Sequence, residues 1–142
     1  MMKKCLLCEE NKNGLWIKKF KYWNLHVCWF QHTLGTLGII LKRHIEKFSE
    51  LSEEEFTELY EIIKLSQKAL DEIFKPDWYN IQANCNWYHH FHFLVLPRYK
   101  KPREFKGKKY EDETFRQPII YTKEKEDESI RKELTALIAK HM

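Results

Sequence analysis

The order of apolar and polar segments in this 142-residue chain predicts an α+β fold: a largely antiparallel five-stranded sheet, one long helix and a C-terminal helix, in two layers. Strand-like runs rich in aromatic and β-branched residues stand on both sides of one long amphipathic stretch that begins near Ser52. Strands before and after a single helix are typical of an antiparallel sheet with helices on one face. The five runs are residues 15–20, 25–30, 35–41, 78–84 and 90–96.

The first two runs form a predicted hairpin, because Tyr22-Trp23-Asn24 lies between them. The third run is entered through glycine. The fourth and fifth runs are joined by a short polar turn around Asn84-Cys85-Asn86. We expect Pro97 to end the fifth strand, because proline donates no ladder hydrogen bond.

The long helix is predicted from its capping residues. Ser52 is a typical N-cap residue, Glu55 three positions later completes a capping box, and Leu51 and Phe56 are spaced for a hydrophobic staple. The helix should run to about Phe74, because Lys75-Pro76 stops it. Its predicted apolar stripe consists of Phe56, Leu59, Tyr60, Ile63, Leu70, Ile73 and Phe74.

The last 43 residues extend this predicted core, which covers about residues 5–99 of a single domain spanning 1–142. Residues 99–109 are basic and are expected to form an irregular surface loop. A final helix is predicted at about 126–140, where Ile130, Leu134, Leu137 and Ile138 recur at helical spacing.

Composition and charge limit the function classes. The chain has an ordinary globular composition, with 43% apolar and 32% charged residues, so a disordered protein is excluded. Its net charge of +4 suits an anionic ligand but is too small to argue for a nucleic-acid partner. The longest uncharged stretch, 24–41, is broken by polar residues and glycines, so no transmembrane helix is predicted. The N-terminal apolar run is too short for a signal peptide, and the cytoplasm is the expected compartment.

Cys5-Leu-Leu-Cys8 is a CxxC pair at the start of the chain. A redox-active pair of the thioredoxin type should follow a strand and open a helix in a βαβ unit, and no strand precedes this one. Metal binding is therefore the better interpretation, although two idle thiols would give the same pattern. A metal site would need further ligands from elsewhere in the chain.

The most informative segment is His90-Phe91-His92-Phe93-Leu94-Val95-Leu96-Pro97-Arg98. On a strand, alternate residues share a face, so His90, His92 and Leu94 should point one way and the aromatic residues between them the other way. Neighbours on one face are ~6.6 Å apart. Two imidazoles at that spacing can serve one site in different roles.

Here the sequence resembles the histidine triad (HIT) family of nucleotide hydrolases and transferases, especially its diadenosine polyphosphate hydrolase-like members. The family signature alternates three histidines with apolar residues and is often followed by Pro-Arg. Three upstream segments strengthen the resemblance: Leu41-Lys42-Arg43-His44 after the third strand, residues 48–55 leading into the helix, and Tyr79-Asn80-Ile81-Gln82 before the triad.

The resemblance implies that His92 is a nucleophile that forms a nucleotidyl-histidine, with Asn86 and Asn84 as donors to the substrate phosphate and His90 and Leu94 beside it. Leu94 departs from the family, because it stands at the third histidine position. Thr36 also departs, since many members carry a Gly-His pair there.

Two functions follow from the resemblance. The leading expectation is an enzyme, a nucleotide hydrolase or nucleotidyl transferase acting on dinucleoside polyphosphates or related conjugates. The alternative is a zinc-stabilised nucleotide-binding or regulatory module with little or no turnover. A weaker third idea, repair of adenylated nucleic-acid ends, rests on the basic residues 100–109 alone.

The resemblance also implies a metal site and an oligomeric state. Zinc-bearing relatives use a CxxC pair, a distant histidine and the first triad histidine, which correspond here to Cys5, Cys8, His44 and His90. Thiolate and imidazole ligands suit one closed, structural zinc ion per chain. A homodimer is expected by analogy. Of the other histidines, His26 and His32 are expected at the surface or half-buried.

Overall fold

A computed structural model describes residues 4–142, and it confirms the α+β architecture. Five antiparallel strands form one sheet in the order β1-β2-β3-β5-β4, and two short strands, β6 and β7, form a separate hairpin. The strands are β1 Lys18–Lys19, β2 Trp23–Val27, β3 Leu37–Leu41, β4 Trp78–Gln82, β5 His92–Arg98, β6 Arg103–Phe105 and β7 Lys108–Tyr110.

Three α-helices accompany the sheet: α1 Leu6–Asn13, α2 Glu53–Ile73 and α3 Glu128–Lys140. The predicted capping box of α2 is confirmed, because the Glu55 N–H donates to Ser52 Oγ and the Ser52 N–H donates to Glu55 Oε2, each at 3.1 Å. Helix α1 was not predicted. It begins directly after Cys5, whose Sγ accepts a hydrogen bond from the Cys8 N–H at 3.5 Å.

The core lies between one face of the sheet and helices α2 and α3. Strand β2 contributes Trp23, Leu25 and Val27 to it, and the paired strands contribute the residues in register with these positions. The Trp23 Nε1–H donates to the Glu55 carbonyl oxygen at 2.8 Å, which ties β2 to the first turn of α2. The opposite sheet face, which we call the outer face, carries the alternate residues.

The predicted stripe of α2 is only partly right. Leu59 and Leu70 are buried, but Phe56 and Tyr60 are 49% and 57% exposed. The helix instead buries Ile62, Ser66 and Ala69. The buried side of the helix therefore includes small residues, and the bulkier Phe56 and Tyr60 lie towards solvent.

Two further predictions are wrong. Strand β5 does not end at Pro97 but continues to Arg98, with Pro97 opposite Tyr79. Proline is tolerated there because Leu37, the first residue of β3, lies opposite Val95. Pro97 is beyond this pairing and has a strand neighbour on one side only. Residues 99–109 are not irregular, since β6 and β7 form a hairpin whose turn places Lys106 and Gly107 at φ 50° and 77°.

Candidate functional site

Strand β5 places the side chains of His92 and Leu94 on the outer face of the sheet. The register pairs His92 with Ile40 and Leu94 with Gly38, whereas Phe93 and Val95 belong to the core. The predicted alternation along this strand is therefore correct. His90 precedes the strand, is fully buried and lies at the edge of the sheet against Leu41.

His92 is held in one tautomer. Its Nδ1–H donates to the His90 carbonyl oxygen at 2.7 Å, and Cys85 Sγ lies 3.7 Å from the same nitrogen. Among residues 4–142, Nε2 of His92 has no hydrogen-bond partner. Burial lowers the pKa of His92, and the bond to the His90 carbonyl offsets part of that effect. The neutral imidazole with a free Nε2 lone pair is the nucleophilic form.

Four predicted metal ligands come together. The ligand atoms of Cys5, Cys8, His44 and His90 all lie within 4.8 Å of one another. His90 Nδ1 is 3.5 Å from Cys5 Sγ, 3.4 Å from Cys8 Sγ and 3.2 Å from His44 Nδ1. Bond lengths of 2.0–2.3 Å around a tetrahedral zinc ion put its ligand atoms about 3.5 Å apart, so the set fits zinc.

Backbone contacts orient the cluster. The Nε2–H of His90 donates to the Leu41 carbonyl oxygen at 2.6 Å, which leaves Nδ1 unprotonated for a metal. Asn11 Nδ2 donates to the same carbonyl at 2.9 Å and thereby anchors α1 to strand β3. Burial, followed by a hydrogen bond from the Cys8 thiol to Cys5, raises the pKa of the Cys8 thiol. A bound cation would favour the thiolate instead.

The two predicted phosphate donors differ in their surroundings. Asn86 is exposed, and its side chain has no hydrogen-bond partner among residues 4–142. Asn84 donates from Nδ2 to the hydroxyl oxygen of Tyr121 at 2.9 Å. Cys85 between them takes φ 50°, which turns the chain sharply ahead of the histidines. The structure thus brings both asparagines to the end of β4, but it engages Asn84 with a residue that the sequence did not single out.

A C-terminal segment, residues 112–122, crosses the outer face, and we call it the strap. At one end Arg98 binds Asp112 through two hydrogen bonds of 2.6 and 3.0 Å. At the other end the Tyr121 hydroxyl accepts hydrogen bonds from Gln82 and Asn84, and its ring packs edge-on against His32. No local sequence signal could have indicated these contacts, because the partners of Tyr121 are 39 and 37 residues away.

His26 is not at the surface as predicted. It is 3% exposed on the outer face, between Trp16 and Trp29, and burial lowers its pKa to about 3. Gly38 makes room for it, since a Cβ there would lie 2.4 Å from His26 Nε2. Thr36 is also buried, with its hydroxyl donating to the Thr33 carbonyl at 2.7 Å. His32 is half-buried, as expected.

A family model for the HIT domain matches residues 31–101, which is half of the chain. The chain belongs to the HIT domain family. The match includes His44, His90 and His92, and membership supports nucleotide binding, or hydrolase or transferase activity, in general. A search of curated proteins found no significant match.

Solved structures share the HIT fold over nearly the whole chain. A hypothetical histidine triad nucleotide-binding protein from Sulfolobus tokodaii strain 7 aligns with TM-score 0.77 and 18% identity, covering 96% of this chain and 91% of that one. A Hit-like protein involved in cell-cycle regulation from Bartonella henselae aligns with TM-score 0.75 and 13% identity, over 97% and 96%. A Zn-bound histidine triad family protein from Mycobacterium smegmatis aligns with TM-score 0.68 and 18% identity, over 96% and 91%. At these identities the likeness concerns the fold.

No helix within residues 4–142 combines the length and the apolar character that crossing a membrane requires.

Proposed function

We propose that this HIT protein is a nucleotide hydrolase or nucleotidyl transferase that works through a nucleotidyl-His92 intermediate. The observation that carries the proposal is the environment of His92: its Nδ1–H is committed to the His90 carbonyl, and its Nε2 has no partner among the described residues. Burial lowers the pKa of the ring and so favours its neutral form, in which the lone pair on Nε2 is available for attack.

In the proposed reaction, Nε2 of His92 attacks the α-phosphorus of a nucleotide and expels the remainder of the substrate. Water or another acceptor then takes the nucleotidyl group from the histidine. Asn86, at the turn before the histidines, is the proposed donor to the phosphate oxygens. Asn84, Leu94 and the backbone of His90 complete the proposed phosphate surroundings. The substrate class, dinucleoside polyphosphates or related conjugates, comes from the resemblance alone.

We further propose one structural zinc ion per chain, bound by Cys5, Cys8, His44 and His90. The separations among these ligand atoms support it, and so does the Zn-bound relative from Mycobacterium smegmatis. Four protein ligands leave no position for a reacting water. The ion would instead fix His90, whose own carbonyl orients His92, so it would influence the proposed nucleophile through one residue.

A second candidate is a zinc-stabilised nucleotide-binding or regulatory module with little turnover. Leu94 favours it, because leucine cannot donate a hydrogen bond where the family has histidine. The relative from Bartonella henselae is described as involved in cell-cycle regulation. A homodimer is proposed from the resemblance alone, and the mass in solution by light scattering tests it.

The deciding experiment traps the intermediate. The protein is incubated with diadenosine polyphosphates and with a nucleoside phosphoramidate, and then its mass is measured after acid-free denaturation. We expect an adduct of one nucleotidyl group in the wild-type protein and none in His92→Ala, whose turnover should fall by about 10⁴-fold or more while nucleotide affinity remains.

His89→Ala is the matched control, because His89 is exposed and adjacent to the motif, and its side chain makes no hydrogen bond within residues 4–142. It should behave like the wild-type protein. If His92→Ala turned over the substrate as fast as the wild-type protein, the nucleotidyl-His92 intermediate would be disproved. Nucleotide binding without adduct or turnover would favour the regulatory module.

A further inference from the structure

The hydroxyl group of Tyr121 is bound by the cross-strand partner of Leu94, which stands at the third histidine position of the family. Gln82 Nε2 and Asn84 Nδ2 both donate hydrogen bonds to the Tyr121 hydroxyl oxygen, the second at 2.9 Å. The side chain is 45% exposed, so solvent or a ligand can reach it.

The register relates the partners of this hydroxyl to the histidine strand. Gln82 is the cross-strand partner of Leu94, so their side chains share the outer face. Leu94 follows His92 by two residues on that face, a distance of ~6.6 Å. Asn84 precedes Cys85, whose Sγ lies 3.7 Å from His92 Nδ1. Tyr121 is therefore bound by the cross-strand partner of Leu94 and by the residue that precedes a contact of His92.

The pattern of donors leaves the hydroxyl proton available. Both amides donate to the phenol oxygen, and within residues 4–142 they are the only hydrogen-bond partners of that group. The O–H itself thus has no acceptor among the described residues. Two N–H groups that donate to the same oxygen polarise its O–H bond, and this makes the hydroxyl a stronger donor.

We propose that Tyr121 supplies to the substrate the hydrogen bond that Leu94 cannot supply, and that it is a catalytic residue; the inference rests on the proposed function of His92. As the Nε2 lone pair forms the P–N bond, the bond from phosphorus to the leaving oxygen breaks and its electron pair stays on that oxygen. The Tyr121 O–H donates to this oxygen as its charge develops. The proton remains on Tyr121, so the step needs no further acid or base.

Gln82 and Asn84 are positioning residues in this scheme. They touch the hydroxyl and hold it, and Asn84 acts through Tyr121 in addition to any contact of its own with phosphate. The packing of the Tyr121 ring on His32, with centroids 4.8 Å apart, fixes the other end of the side chain.

The test compares Tyr121→Phe with the wild-type protein on two esters of one nucleotide, a p-nitrophenyl ester with a good leaving group and a phenyl ester with a poorer one. Removing one donor to a developing oxyanion lowers kcat by about 10²–10³-fold. We expect that loss on the phenyl ester, a smaller loss on the p-nitrophenyl ester, and an unchanged KM for both. Tyr60→Phe, which removes an exposed hydroxyl from α2, is the matched control, and it should change neither kcat nor KM on either ester.

A rescue experiment separates this role from a structural one. Leu94→His in the Tyr121→Phe background should raise the rate on the phenyl ester at least tenfold. The same substitution in the wild-type protein should raise that rate by a smaller factor. Gln82→Ala should reproduce part of the leaving-group effect without changing KM.

Equal rates of Tyr121→Phe and the wild-type protein on both esters would overturn the role of Tyr121 and leave the His92 mechanism standing. A wild-type protein that binds the nucleotide but turns over neither ester and forms no adduct would overturn both.

Discussion

Replacement of Arg98 by alanine should destabilise the protein strongly, because Arg98 connects strand β5 to the strap. The side chains of Arg98 and Asp112 are 2% and 1% exposed. Nε and Nη2 of Arg98 donate to the two carboxylate oxygens at 2.6 and 3.0 Å. The other donors reach Asn80 Oδ1 at 2.6 Å and the carbonyl oxygens of Thr114 and Gln117 at 2.7 and 2.9 Å.

The expected loss in the free energy of unfolding follows from the buried carboxylate that the substitution leaves without its partner. In Arg98→Ala the Asp112 carboxylate stays buried with one remaining donor, the Tyr99 N–H at 3.1 Å. Removing one partner of a buried pair costs about 3–5 kcal/mol. For a chain of this size, 1 kcal/mol corresponds to roughly 3 °C in Tm, so Tm should fall by about 9–15 °C.

The assay is thermal and urea unfolding of three single variants and one double variant. Arg116→Ala is the matched control, because Arg116 lies on the same strap, is exposed and makes no ion pair within residues 4–142. It should change the free energy of unfolding by less than about 0.5 kcal/mol. Asp112→Ala should resemble Arg98→Ala, and the double variant should cost less than the sum of the two. A loss below about 1 kcal/mol in Arg98→Ala would refute the argument that a buried pair holds the strap.

The other predictions concern the metal and the third triad position. The wild-type protein should contain about one zinc ion per chain by elemental analysis, and Cys5→Ser combined with Cys8→Ser should abolish this metal content. The double variant should also have a Tm lower by about 10 °C or more, because metal binding contributes to folding. A metal-free wild-type protein purified without chelators, with both thiols reactive, would contradict the prediction. Leu94→His should narrow the gap in kcat/KM between good and poor leaving groups by adding a donor. An unchanged rate and ratio in a folded, nucleotide-binding Leu94→His variant would show that residue 94 does not face the reacting phosphate.

Much of the fold could be predicted because its signals are local. The capping box at Ser52 and Glu55 involves residues three apart, and the alternation along the histidine strand follows from backbone geometry. The stripe of α2 could not be predicted in full, since apolar residues occur on more than one side of the helix. Ser66 and Ala69 lie on the buried side, and their small, weakly apolar side chains do not mark that side in the amino-acid sequence.

Some residues of the candidate site could likewise be predicted from the amino-acid sequence, and others could not. The four residues of the proposed zinc site lie in motifs that the family resemblance already contains, so the amino-acid sequence is enough to propose them, and the structure places their ligand atoms within 4.8 Å of one another. The burial of His26 depends on Gly38 in the neighbouring strand, and its own surroundings in the sequence do not indicate it. Arg98 and Asp112 are 14 residues apart, with the β6–β7 hairpin between them. No periodic pattern relates positions that a hairpin brings together.

The strap links the stability of the fold to the proposed chemistry. Arg98 anchors its beginning at Asp112, and Gln82, Asn84 and His32 bind its end at Tyr121. If the first anchor holds the strap on the outer face, its loss should also loosen the hydroxyl at the second. Arg98→Ala, assayed well below its Tm, should therefore shift the leaving-group ratio in the direction of Tyr121→Phe. Adding Arg98→Ala to Tyr121→Phe should shift it no further, because the hydroxyl is already gone. A ratio in Arg98→Ala equal to that of the wild-type protein would mean that Gln82 and Asn84 hold Tyr121 without the buried ion pair, and the two ends of the strap would then be independent.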